Sequence, residues 1–214
     1  MKQVFEIIKG AGNVFRERLE SIEKQHGHLP QDAYVRYLSM QYHLTKGVQR
    51  HFMMCASHPD FAHRVKLREF LVRFANEEEL HFKVAEKDLE NMGLKPLPIC
   101  LDTRLWWAFF DTQVMERPLV RLGATCVLEN IADHANDVIN RLLSKSPYLN
   151  PRNMKFITIH RHGAELPHGD QILEALESAQ LEPAQWDQVV EGANIGVTLY
   201  LRQAHWALTG DLLR

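Results

Sequence analysis

The chain has 214 residues, 45% hydrophobic and 24% charged, the proportions of one folded globular domain rather than a disordered or membrane-spanning chain. Its 25 Lys and Arg stand against 27 Asp and Glu, so there is no basic excess to neutralise a nucleic-acid backbone or an anionic membrane surface. Cys55, Cys100 and Cys126 are too few and too scattered for a disulfide framework or a thiolate metal site, and Glu6 and Lys9 interrupt the opening segment, so a cytoplasmic protein is expected.

Proline and glycine divide the sequence into seven segments of helical periodicity with few β-branched runs, which predicts an all-α, single-domain bundle over residues 1–214. The first segment, about Lys2 to Lys24, spaces Phe5, Ile8, Phe15, Leu19 and Ile22 at helical steps. The second, about Gln31 to Ala56, is rich in aromatic residues at Tyr34, Tyr37, Tyr42 and Phe52. The third runs from about Phe61 to Asn91 and is closed by Gly93, after which Pro96 and Pro98 mark a loop. Asp102 reads as the N-cap of a fourth helix through Trp106, Trp107 and Phe110, and Pro118 restarts a fifth that continues to about Ser144. Asn150 reads as a cap with Pro151 at the first helical position of the sixth, which Gly163 and Pro167 disturb. Glu182-Pro183 opens the seventh, ending near Leu208. Bundles of this kind hold cofactor sites between facing helices.

Twelve histidines are present, and five share helical segments with carboxylates. The others (His26, His28, His43, His51, His58, His63 and His205) read as surface residues or as residues behind a site. Glu78 falls on the apolar stripe of Leu71, Phe74, Phe82, Ala85 and Leu89, with His81 at its edge. A carboxylate there needs a partner, either a cation or a neighbouring Tyr or Arg. Glu129 shares one side of its helix with Leu119, Leu122 and Cys126 and the other with Asp133, Asn136 and Asn140; alone it reads as a surface residue, in company as a half-buried ligand. The densest stretch, Ile159 to Asp170, holds His160, His162, Glu165 and His168, donors that iron, manganese or zinc accept. A π-bulge near Gly163–Pro167 brings His160 and Glu165 onto one face, whereas without it His162, Glu165 and His168 converge over an arc of about 120°. A solvated, histidine-rich helix start is the plain alternative.

The order Glu-x2-His, lone Glu, then His with Glu-x2-His on three long helices resembles the haem-oxygenase-like superfamily, in particular its non-haem di-iron oxidases, relatives of thiaminase II and pyrroloquinoline-quinone synthase. The run Phe156-Ile157-Thr158-Ile159-His160 with Glu165-x2-His168-Gly169-Asp170 resembles the late ligand helix, and Leu122 to Glu129 the middle one. The resemblance spans nearly the whole chain. It implies a haem-oxygenase-like bundle of about seven helices and an oxidoreductase that activates dioxygen to oxidise a small organic substrate. Two iron ions, or manganese, would be held by Glu78, His81, Glu129, His160 or His162, Glu165 and His168, and aromatic residues of the second segment and of Trp106–Phe110 would wall the substrate cavity. The family's late motif is His-x3-Asp/Glu-x2-His; here Arg161 stands four before Glu165, and Pro167 interrupts the motif.

Other members of the superfamily make different demands. A thiaminase-type enzyme needs an activated thiol, and Cys126 in its apolar run reads as a neutral one. A haem oxygenase needs a histidine on the first helix, and Lys2 to Lys24 contains none. A metal-free member would be a small-molecule-binding or interaction protein, or an enzyme using His and Tyr as acid and base. Phe52, Met53 and Met54 exceed what one narrow helix face buries, so a homodimer is expected, with no nucleic-acid or membrane partner.

Overall fold

The computed structural model describes residues 1–162 and 168–212, without the side chains of residues 161, 162 and 168. Among the described residues there is no strand, and the α-helices are α1 (Lys2–His26), α2 (Gln31–Thr45), α3 (Val48–Ser57), α4 (Val65–Glu78), α5 (His81–Asn91), α6 (Leu101–Glu116), α7 (Pro118–Asn130), α8 (Asn136–Ser144), α9 (Lys155–His162), α10 (His168–Ser178) and α11 (Pro183–Thr209). All seven predicted segments are present, and four of them contribute two helices each. Between α2 and α3 the break falls at Gly47, whose φ of 88° belongs to the left-handed region. The breaks at Glu79–Leu80 and at Ile131–Ala132 contain neither glycine nor proline, so the periodicity reads straight through them.

Several ends follow local chemistry. Pro118 and Pro183 occupy the first turns of α7 and α11, and Glu182 forms a reciprocal capping box with Gln185. Gly93 closes α5: its N–H donates to Glu90 O and that of Leu94 to Leu89 O, each at 2.9 Å. Two expected caps are corrected. Asp102 is not the N-cap of α6; Cys100 holds that position, and Asp102 is buried in the first turn, accepting from Arg202 Nε of α11 at 2.7 Å. Asn150-Pro151 does not begin a helix. Residues 150–153 form a turn closed by Asn150 N–H donating to Asn153 Oδ1 at 2.9 Å, and α9 starts at Lys155. Its early Phe156 N–H donates to Asp88 Oδ2 of α5 at 2.7 Å, so a distant side chain supplies the cap.

Helix α7 is the centre of the bundle, buried continuously from Pro118 to Val127. Its main neighbour is α11, and the two approach through glycines. A Cβ on Gly123 would lie 2.0 Å from Val189 O, and one on Gly192 would lie 1.9 Å from Val120 O. These are main-chain oxygens, so no side-chain rotation relieves the clash. Of the residues behind the expected homodimer, Phe52 is in the core, Met54 is half-buried and Met53 exposed. No helix among the described residues is long and apolar enough to cross a membrane. Substituting Gly192→Ala is expected to destabilise the fold by about 2 kcal/mol or more, read as a lower urea midpoint, whereas Gly10→Ala, with open space around it, should leave the midpoint unchanged or raised.

Candidate metal centre and its cavity

A cavity of about 190 Å³ lies between α1, α2, α3, the end of α4, α7, α8, α9 and α11. Leu19, Leu44, Leu142 and Ala207 make most of its wall apolar, while Glu78, Glu129, Arg121 and His160 bring charge and nitrogen donors to it. The aromatic lining comes from Phe15, Tyr37, Phe52, Phe156 and Tyr200. Trp106 and Phe110 do not line it, against expectation, because both are turned into the core beside the Arg121 guanidinium.

The break after α4 builds the donor cluster. Glu78 is the last residue of α4 and only 5% exposed, and His81 is the first of α5. His81 Nδ1 lies 2.8 Å from Glu78 Oε2; in the tautomer that donates this bond, Nε2 is the acceptor nitrogen of the ring. From α9, His160 Nδ1 donates to Phe156 O at 2.7 Å, which makes Nε2 the acceptor nitrogen of its ring in the same way. The His81 and His160 rings meet edge to face with centroids 4.7 Å apart. One donor atom from each of Glu78, His81 and His160 lies within 4.8 Å of the other two.

Ligands on one first-row ion stand about 3–4 Å apart, so small side-chain rotations are enough for this set to close on a cation. Two imidazoles and a carboxylate suit iron, manganese or zinc, and these residues therefore fit a metal site. The pairing of Asp88 with Phe156 one end along and of His81 with His160 at the other shows that α5 and α9 run antiparallel. Asp88 thus sets the position of α9 against α5 and so of His160 against His81. Burial raises its carboxyl above the usual range, opposed by the Phe156 and Lys155 N–H groups.

Glu129 lines the same cavity from α7, half-buried, but is outside the cluster of three. Glu165 lies outside the described residues, as do the side chains of His162 and His168, and the π-bulge expected at Gly163–Pro167 falls there too. Helix α10, which begins at His168, packs on α7 and α4.

Sequence reasoning missed two residues. Arg121, 2% exposed, lines the cavity from α7. Its Nε–H donates to His51 Nδ1 at 3.2 Å and Nη1 to Thr125 Oγ1 at 2.7 Å, and its guanidinium carbon lies 5.1–5.5 Å from the ring centres of Phe52, Trp106 and Phe110. Burial pushes it down to about 10, so it stays charged at neutral pH. His51 is fully buried rather than superficial. Its Nε2 donates to Asp111 Oδ1 at 2.8 Å, and Asp111 also pairs with Arg50 at the surface. Burial, then the Arg121 charge, pushes His51 down to about 4, which keeps Nδ1 free to accept from Arg121. A charged residue inside the apolar run 119–127 was the available signal for Arg121; for His51 there was none.

No family model matches the sequence, and no curated protein matches it. Among solved structures, a domain of unknown function from Shewanella denitrificans OS217, determined at 2.30 Å and described as having a heme oxygenase-like fold, superposes with a TM-score of 0.77 over 95% of this chain and 90% of that one, at 20% identity. The fold is heme oxygenase-like. Within it, the described lining residues include one imidazole, His160, and it is on α9 rather than α1. Burial pushes the Cys126 thiol up to about 12, and Cys126 is not among the lining residues. Both observations stand apart from what a haem site on the first helix or a thiol nucleophile requires.

Two outcomes follow. Because the folded chain holds His51 neutral, the unfolded chain takes up a proton first as pH falls below 6.5, and stability is lost from there down to about pH 4. Urea denaturation should show wild type losing about 2 kcal/mol more than His51→Gln between about pH 7 and about pH 5. The buried thiols of Cys55, raised to about 12 like Cys126, should resist a chromogenic disulfide reagent in native protein and react once it is unfolded.

Proposed function

We propose that this chain is a non-haem iron oxidoreductase that activates dioxygen to oxidise a small organic substrate. The observation that carries the reading is the convergence of Glu78, His81 and His160 from three helices on one point, beside a cavity that Glu129 also lines. Iron, when bound, would supply the one-electron chemistry that dioxygen requires and that no protein side chain provides. Glu78, His81 and His160 would hold the first ion; Glu129, with Glu165 and His168 from the late motif, would complete a second position, and manganese is the substitute metal that this donor set admits. Phe156 O keeps the His160 tautomer, and the apolar wall keeps water from the substrate. A homodimer in the cytoplasm is the proposed setting.

The second reading is a metal-free binding protein of the same fold, and the hydrogen bond between Glu78 and His81 favours it, since each gives the other a polar partner without an ion. Metal analysis separates the two. Protein purified from iron-supplemented culture should carry about one to two iron per chain, and Glu78→Ala and His160→Ala should each retain less than about a tenth of that. Iron-free wild type after such growth, or variants that load as wild type does, would put the binding protein in front.

A further inference from the structure

Arg121 reaches the cavity with most of its donors unused. A guanidinium has five N–H groups; one goes to His51 Nδ1 and one to Thr125 Oγ1, which leaves three without a protein acceptor among the described residues, both of those on Nη2 included. No carboxylate among them pairs with it within ion-pair distance. Phe52, Trp106 and Phe110 offer ring faces to the charge, and Glu78 and Glu129 attract it from farther away. A buried cation held in this way lacks a hydrogen-bonded counter-charge, which is costly in a folded protein. Its position is also set from outside: Arg50 holds Asp111, Asp111 holds His51, and His51 holds Arg121 Nε. The open edge of the fork, Nη1 and Nη2, is therefore in place before any ligand arrives.

We propose that Arg121 anchors the carboxylate of an apolar monocarboxylic acid, the substrate of the cavity. Two coplanar oxygens match the two coplanar N–H groups of the fork. A single negative charge balances Arg121, whereas the second charge of a phosphate would face Glu78 and Glu129. The hydrocarbon part lies against Leu19, Leu44, Leu142 and Ala207. The assignment rests on the cavity being the reaction site proposed above, but not on which ion is bound there.

The test is calorimetric binding of 3-phenylpropionate and octanoate against their neutral amides, with full-length protein both chelator-treated and loaded with Mn²⁺. Wild type should bind each acid about tenfold or more tighter than its amide, as a charge-assisted fork–carboxylate contact requires. Arg121→Gln should bind acid and amide alike. Absence of an acid preference in wild type in both states overturns the proposal without reference to any variant, and so does a preference that survives in Arg121→Gln. Metal content of the same samples separates the two readings: acid preference in protein that takes up no metal leaves Arg121 as the anchor and removes the metal centre, whereas metal uptake without acid preference does the reverse.

Discussion

The structure depends on the crossing of α7 and α11, where main chain meets main chain. At Gly123 and Gly192 no side-chain atom fits between the helices, so α7 is held at the centre of the bundle by shape rather than by any one hydrogen bond. That placement has two results. Arg121, Thr125 and Glu129 recur every four residues and share one face of α7, and all three reach the cavity. On α11 the small residues Ala204 and Ala207, on the same side as Tyr200, leave the space that the cavity occupies.

Around this centre the chain buries charge and answers each charge differently. Asp102 is answered by Arg202 across α6 and α11. Asp88 is answered by backbone N–H groups at the start of α9, where a helix terminus favours an anion. Glu78 is answered by His81 one turn on. Arg121 is answered by three rings, a hydroxyl and a neutral imidazole. Such arrangements cost stability relative to an apolar core, and two of the four lie on the cavity wall.

How much of this was legible in the sequence depended on whether the cause was local. Segment ends marked by Gly93, Pro118 and Pro183 were readable because a single residue's backbone preference decides them. The Asp102 and Asn150 caps were misread because the deciding partners, Arg202 and Asp88, are about a hundred and about sixty positions away. Glu78 stood out because a carboxylate on an apolar stripe is a local contradiction, and its burial answers the question that the stripe posed. Arg121 is the same contradiction on α7. The meeting of His160 with His81, and the turning of Trp106 and Phe110 away from the cavity, are tertiary outcomes that no spacing encodes.

The two-residue interruption at Glu79–Leu80 sets the phase of everything after it. Each residue added or removed there turns α5 by about 100° about its axis. His81 would then leave Glu78, and Asp88, seven positions later on the same rigid helix, would swing off the start of α9 together with it. The loop from Leu94 to Cys100 carries no such double burden, since it follows Asp88 and joins α5 to a helix that does not line the cavity. Drift in chain length is therefore tolerable after residue 93 and intolerable at 79–80, even though the latter is an exposed turn at Leu80 of the kind in which insertions are ordinarily harmless.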